Sequence, residues 1–143
     1  MSYTVNDVYN KALVFIGDLN DPLGNTDYHS RAPYIIASFC SNTKSLDKAI
    51  RRASNLGSTP SFSPVCIPIL EQFPLCDELI HSAALYLASM LVIDDDEDLS
   101  EKLFDQYCDC LATLAASLDG GSGSALSTNS ATCESISEKY FFD

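Results

Sequence analysis

Five consecutive acidic side chains, 94–98, form the densest charge cluster of the sequence. Asp94, Asp96 and Asp98 match the first three ligand positions of an EF-hand calcium loop. That motif requires glycine at its sixth position and favours glutamate at its twelfth, where this chain has Leu99 and Asp105. We therefore interpret residues 94–98, hereafter the acidic connector, as a solvated link between two helices, with calcium binding as the minor alternative.

Histidine and cysteine, the usual zinc ligands, are too scattered to define a metal site. His29 and His81 stand far apart, and no Cys-x-x-Cys spacing occurs among the six cysteines. The first residues lack the basic and apolar regions of a signal peptide, so we expect a protein that is not secreted and has reduced thiols. We predict neither a cofactor nor a metal.

Sequence motifs typical of enzymes are not found: no phosphate-binding glycine loop, no Gly-x-Ser-x-Gly elbow and no His-Glu-x-x-His. Adjacent carboxylates at Asp77 and Glu78 could transfer protons. A helix start is sufficient reason for them, because acidic residues complement the positive end of the helix dipole. We predict that the chain is not an enzyme.

Half of the eight basic side chains lie within nine residues, at Lys44, Lys48, Arg51 and Arg52. Helical spacing places the two lysines and one of the arginines on one face. The simplest interpretation is a solvated helix end, where cations favour the negative end of the dipole. The functional interpretation is a docking patch for an acidic surface, such as the acidic connector of a neighbouring copy.

The overall charge disfavours some classes of partner. Eight basic and twenty acidic side chains give a formal net charge of −12. Within a Debye length of about 8 Å this charge repels phosphate backbones and anionic lipid head groups. We therefore predict no specific nucleic-acid partner and no membrane partner. The 46% of apolar and 20% of charged residues, in a chain of 143, are ordinary for one globular domain.

The N-terminal half predicts two helices. The first spans Val5–Ile16, with Thr4 as its N-cap, Asp7 at the capping-box position and Gly17 as its stop.

The second predicted helix begins near Thr26 or Asp27, either of which could cap it. It runs to about Leu46, or as far as Ile50, and Pro33 either kinks it or delays its start.

The C-terminal half predicts a helix hairpin after an irregular segment at 53–74. A central helix covers Leu75–Ile93, with Pro74 at its start, because it is apolar on most of its circumference. A fourth helix covers Leu99–Leu118, with Asp98 as its cap. The short connection between them implies an antiparallel pair.

Glycine and serine then predict a flexible linker, which leads to an aromatic tail. The predicted fold is therefore all-α: a compact bundle of four principal helices at 1–118, followed by a linker and tail at 119–143. The side chains that we predict for contacts between molecules are Lys44, Lys48, Arg51, Arg52, Asp94, Asp95, Asp96, Asp98, Tyr140, Phe141 and Phe142.

Two stretches resemble a known family of proteins. Residues 3–13 are similar to the start of small phage and prophage proteins encoded among head and packaging genes. Residues 83–96 followed by 103–107 are similar to a recurrent pattern there, in which an alanine-rich helix, an acidic break and an aromatic–x–x–Tyr helix follow one another. The family is that of head–tail connectors, or portal adaptors.

The resemblance implies a compact helical domain that forms a homo-oligomeric ring beneath the portal, bridging capsid and tail. It further implies portal or tail-completion proteins as partners, a location in the virion or the bacterial cytoplasm, and no catalytic residues. The chain departs from the pattern in its middle segment, 62–76, and in its linker and tail.

We therefore expect a structural assembly protein. Opposite-sign patches on helices predict self-association by a head-to-tail contact, which closes into a ring if the rotation permits. The alternatives are a cytosolic bacterial protein-binding or regulatory module and, less favoured, a small enzyme with a pocket between the second and third helices.

Overall fold

The computed structural model describes residues 2–17 and 25–118. Within these ranges the chain forms five α-helices and no β-strand, which confirms the all-α prediction with one helix more than expected. The predicted linker and tail at 119–143 lie outside the described residues. The helices are α1 (Val5–Ile16), α2 (Thr26–Asn42), α3 (Lys44–Ala53), α4 (Ile80–Leu91) and α5 (Glu97–Leu118).

Helix α1 has the predicted bounds and caps. The Thr4 backbone N–H donates to the Asp7 carboxylate at 2.8 Å, and the Asp7 N–H donates to the Thr4 hydroxyl oxygen at 3.2 Å. At the other end Gly17 adopts the left-handed region (φ 89°), and its N–H donates to the Leu13 carbonyl at 2.8 Å. These local hydrogen bonds confirm the capping box and the glycine stop.

The second predicted helix is wrong in its extent, because it is divided into α2 and α3 at Thr43. The buried Thr43 hydroxyl and the Thr43 N–H both donate to the Phe39 carbonyl, at 2.7 and 2.9 Å. Helix α2 is also capped by Asn25, which accepts from the Tyr28 N–H at 3.0 Å, rather than by a later residue. The start of α2 at Thr26 precedes Pro33, so the proline does not delay the helix.

Helix α4 is the centre of the bundle, as predicted, and packs against α1, α2 and α5. The Ser100 hydroxyl donates to the Ser89 carbonyl at 2.7 Å, and the Ser82 hydroxyl donates to the Cys110 sulfur at 2.9 Å. Later residues of α4 therefore pair with earlier residues of α5, which confirms the antiparallel hairpin. Small buried side chains let the two helices approach closely.

The predicted starts of the two hairpin helices are wrong. After Pro74, Leu75 lies in a bend and Cys76 is extended, and α4 begins only at Ile80, after a 3₁₀ turn at Asp77–Leu79. Helix α5 begins two residues earlier than expected. Its cap is Asp96 rather than Asp98, because the Asp96 carboxylate accepts from the Leu99 N–H at 3.0 Å.

The irregular segment, predicted at 53–74, covers residues 54–76 in the structure and is fixed to the bundle by its own backbone. The carbonyls of Glu71 and Ile69 accept from Val5 and Asn6 N–H at 2.9 and 2.8 Å, which satisfies donors that a helix start leaves unpaired. The Ile67 N–H donates to the Pro33 carbonyl of α2 at 3.1 Å. The segment buries Ile67, Phe73 and Leu75, so it lies against the core, as its apolar content predicts.

Candidate functional site

Asp47 is the buried carboxylate of the described residues, and the sequence analysis did not single it out. It accepts hydrogen bonds from Arg51 Nε at 2.8 Å, from the backbone N–H of Cys76 at 2.8 Å and from the Thr59 hydroxyl. Burial acts to raise its pKa, but the hydrogen bonds from Thr59, Cys76 and Arg51 outweigh burial and lower the pKa below its ordinary value. A carboxylate held ionised in this way positions its neighbours and is a poor proton carrier.

The Arg51 side chain belongs to the same hydrogen-bonded cluster around Asp47. Besides its ion pair with Asp47, its guanidinium donates to the carbonyls of Gly57 and Pro74, each at 3.2 Å. Within the chain Arg51 therefore holds the irregular segment against α3. The Asp–x–x–x–Arg spacing indicates an ion pair between Asp47 and Arg51, but the same spacing is equally typical of exposed pairs, so it does not indicate that the pair is buried.

The other three predicted cations remain on the surface of α3. Lys44, Lys48 and Arg52 are exposed at positions i, i+4 and i+8, so they form one row along the helix. We call this row the cationic stripe. The Lys44 ammonium lies 5.7 Å from the Phe62 ring centroid, which directs that side chain towards the irregular segment.

The acidic connector does not bring its carboxylates together. Asp95 accepts from the Tyr28 hydroxyl, Asp96 caps α5, and Asp94 and Asp98 are exposed. In the described part of the chain no group of three or more His, Cys, Asp or Glu side chains is arranged to hold a metal ion. Asp95 and Asp96 therefore have structural roles in this loop, whereas Asp94 and Asp98 present negative charge to the solvent.

The cationic stripe and the acidic connector lie at opposite ends of the bundle. Arg31, near the start of α2, donates to the Leu91 carbonyl at 3.0 Å, so this end of α2 lies at the connector. Asp47 of α3 instead contacts Cys76, ahead of α4. The two charged regions are thus separated by roughly the length of α4, about 18 Å for twelve residues.

A groove of about 730 Å³ lies between the irregular segment and the first described residues, Ser2 and Tyr3. It does not lie between the helices where an enzyme pocket was considered. Among its ionisable side chains Arg51 is paired with Asp47, burial raises the pKa of the Cys76 thiol, and Glu71, Asp77 and Glu78 are exposed. The principal apolar and aromatic lining residues are Tyr3, Leu56, Pro60, Phe62, Ile67 and Phe73.

A second groove, about 420 Å³, contains His81 together with the ionisable side chains of Lys11 and Asp77. Burial and the neighbouring Lys11 lower the pKa of His81, so its neutral form is favoured. Its ring stands edge-on to Phe15 with centroids 5.6 Å apart. Asp7 lines the same groove and is engaged in the capping box.

A third groove, about 340 Å³, runs between α4 and α5. Its apolar side chains include Ile93, 46% exposed, and Phe104, 41% exposed. Glu101 and Asp105 line it as well, so an apolar floor is bordered by two carboxylates. The sequence analysis did not identify this surface, which exists because the apolar stripe of α5 is wider than the face that α4 covers.

The thiols are mostly structural. Cys40, Cys66, Cys76 and Cys110 are free, whereas Cys108 is disulfide-bonded, so the expectation that every cysteine is reduced is wrong for Cys108. Burial also raises the pKa of the Cys40 thiol. Among the free thiols Cys40 and Cys76 are therefore poor nucleophiles.

No family model matches the sequence, and no match is found among curated proteins or among solved structures. In residues 2–17 and 25–118 no helix is long and apolar enough to cross a membrane. Of the side chains predicted for contacts between molecules, Tyr140, Phe141 and Phe142 lie outside the described residues.

Proposed function

We propose that this chain is a non-catalytic assembly subunit that associates with further copies of itself, head to tail. The observation that carries this proposal is the separation of opposite charges. Helix α3 is tied to the chain just ahead of α4, the acidic connector follows the other end of that helix of about 18 Å, and in the described residues no ion pair joins the cationic stripe to the connector. A second copy offers the complementary charge to each.

A head-to-tail contact uses two different surfaces of each subunit, so every added copy exposes a new free surface. Such contacts generate rings when the rotation between copies closes, and filaments when it does not. The rigid five-helix bundle suits this role, because the buried Asp47 cluster and the central helix α4 fix the relative position of the two charged ends.

The finer form of the proposal is a head–tail connector of a phage or prophage, located in the virion or in the host cytoplasm before assembly. Support comes from the resemblance of residues 3–13, 83–96 and 103–107 to that family. A formal net charge of −12 also suits a ring around DNA, because an acidic channel repels phosphate and lets the duplex slide.

Portal or tail-completion proteins are the other proposed partners. Leu70 of the irregular segment is 83% exposed, and Val65 and Tyr34 are exposed as well. Exposed apolar side chains of this kind are candidates for contact with a different protein. The aromatic tail at 140–142 is proposed as a further contact with a neighbouring subunit or partner.

Sedimentation velocity of the full chain tests self-association directly. We expect a sedimentation coefficient that rises with protein concentration at low salt, and a weaker rise at about 1 M salt, where the Debye length is about 3 Å. A monomer at every protein concentration and salt concentration would exclude the proposed function.

A further inference from the structure

The start of α5 carries a row of carboxylates with the spacing of the cationic stripe. Glu97, Glu101 and Asp105 are exposed at positions i, i+4 and i+8. Four residues of helix correspond to a rise of about 6 Å, so this row is about 12 Å long. We call it the acidic stripe. It continues the negative charge of the acidic connector onto a rigid helix.

The cationic stripe has the same length and period. Lys44, Lys48 and Arg52 follow one another at the same four-residue steps on α3, and all three are exposed. Two helices that pack side by side can therefore bring each cation opposite a carboxylate without a change in backbone. This agreement of register is more specific than a general attraction between charged ends.

The groove between α4 and α5 provides a concave apolar surface beside the acidic stripe, into which a side chain of a partner can fit. Phe104 and Ile93 provide its apolar surface, and Glu101 and Asp105 line it. A lysine side chain suits such a groove, because its methylene stem packs on apolar surface while its ammonium reaches carboxylates. A lysine stem on the Phe104 ring also places the cation near an aromatic face.

We infer that α3 of one copy packs against the start of α5 of the next copy, with the cationic stripe facing the acidic stripe. Lys48, the middle cation, then enters the groove between Glu101 and Asp105. This inference rests on the proposed self-association and names its two surfaces. The Arg51 and Asp47 pair is not part of the contact, because both side chains are used inside the subunit.

In the described residues the side chains of the two stripes form no ion pair with each other, since the ion pairs found there are Arg31–Asp27 and Arg51–Asp47. Helix α3 does contact α5 of its own chain, but Asp47 of α3 contacts the chain ahead of α4. The acidic stripe starts at the other end of α4, where Ser100 donates to the Ser89 carbonyl. Each copy therefore keeps one stripe of each sign for its neighbours.

Exchanging the charges of the two stripes tests the inference. The variant K44E/K48E/R52E has two negative stripes, and the variant E97K/E101K/D105K has two positive ones. We expect each variant alone to associate at least about 100-fold more weakly than the wild type, since like charges then face each other. Light scattering after size exclusion measures the effect, and circular dichroism confirms that each variant keeps its helices.

Mixing the two variants restores a complementary stripe at every contact, so we expect assembly to return in the mixture only. The chain that carries all six substitutions keeps the formal net charge of −12, and we expect it to associate by itself. K102E is the matched control, because Lys102 is exposed on α5 but points about 100° away from Glu101 around the helix. We expect wild-type association from K102E.

A wild type that associates while both single-stripe variants associate equally well would overturn this inference and leave the proposed function standing. A wild type that never associates would overturn both. If a single-stripe variant loses helix content, the glutamine versions K44Q/K48Q/R52Q and E97Q/E101Q/D105Q replace it. Unweakened association of these neutral chains at low salt would also overturn the inference.

Discussion

The carboxylate of Asp47 accepts a hydrogen bond from the backbone N–H of Cys76, 29 residues later in the chain, at 2.8 Å. This bond connects α3 to the residue that precedes the 3₁₀ turn and α4. The same carboxylate accepts from Thr59 in the middle of the irregular segment. One buried side chain therefore fixes both the segment between α3 and α4 and the position of the cationic stripe relative to the bundle.

Replacing Asp47 is expected to destabilise the whole chain. Asp47→Asn should lower the free energy of unfolding by about 3 kcal/mol, because it leaves a largely buried arginine without its counter-charge. Urea denaturation followed by circular dichroism measures this loss.

Asp27→Asn is the matched control, since the Asp27–Arg31 pair has the same i,i+4 spacing but Asp27 is 70% exposed. We expect a loss below about 0.5 kcal/mol from it. Equal losses in the two variants would contradict the claim that the buried Asp47–Arg51 pair stabilises the fold.

The contribution of Asp47 should also depend on pH. Its pKa is lower in the folded chain than the ordinary value of 3.8, because its hydrogen bonds outweigh the opposing effect of burial. The stabilisation is therefore present above that ordinary value and is lost as pH falls through the lower folded pKa. We expect the difference in unfolding free energy between wild type and Asp47→Asn to be constant near neutrality and to narrow below about pH 4. A difference that widens with acid would reverse the assigned direction.

Tyr28 should stabilise the end of the bundle that carries the acidic connector. Its ring is buried, and its hydroxyl donates to the Asp95 carboxylate. Tyr28→Phe is expected to cost about 2 kcal/mol of unfolding free energy, as is typical of a hydrogen bond to a charged group. Tyr34→Phe serves as the control, because Tyr34 is exposed on the same helix and its change should be within about 0.5 kcal/mol of zero. Comparable costs for the two variants would count against a structural role for Asp95.

Cysteine reactivity should rank the free thiols by burial. Cys66 is partly exposed, whereas Cys40 and Cys76 are buried and have raised thiol pKa values. Because the thiolate is the reactive form, iodoacetamide should label Cys66 in the native chain but label Cys40 and Cys76 only after unfolding. Peptide mass spectrometry over time measures the order. Early native labelling of Cys76 would show that the irregular segment opens readily.

The elements that the sequence predicts well are those set by neighbouring residues. Helix α1 has its predicted bounds because Thr4, Asp7 and Gly17 act within four residues of their partners. The central position of α4 also follows from local composition, since an apolar helix must be covered on several sides. The all-α class and the antiparallel hairpin likewise follow from capping residues and from the pattern of apolar residues.

The elements that the sequence does not predict depend on distant partners. The start of α4 at Ile80 cannot be read from Pro74, because the Cys76 N–H is taken by Asp47, a residue of another helix. The role of Arg51 is hidden for the same reason, as its carbonyl partners are Gly57 and Pro74. The division at Thr43 had a local cause, yet threonine is common enough in helices that no sequence rule singles it out.

The acidic stripe was partly visible in the sequence. The acidic connector was singled out as a contact for a neighbouring copy, but Glu101 and Asp105 were placed by the structure beside Phe104 in one groove. Their alignment with Lys44, Lys48 and Arg52 requires the helix starts to be known. An error of two residues at the start of α5 does not change the spacing, but it hides that Glu97 belongs to the helix.

Hydrogen–deuterium exchange of the wild-type chain, compared between dilute and concentrated solution, tests the central claim most directly. The account predicts slower exchange on association in two places, the peptides covering 44–53 and 97–106, with little change in the irregular segment at 54–76. No concentration dependence, or protection confined to other helices, would contradict assembly through α3 and the start of α5.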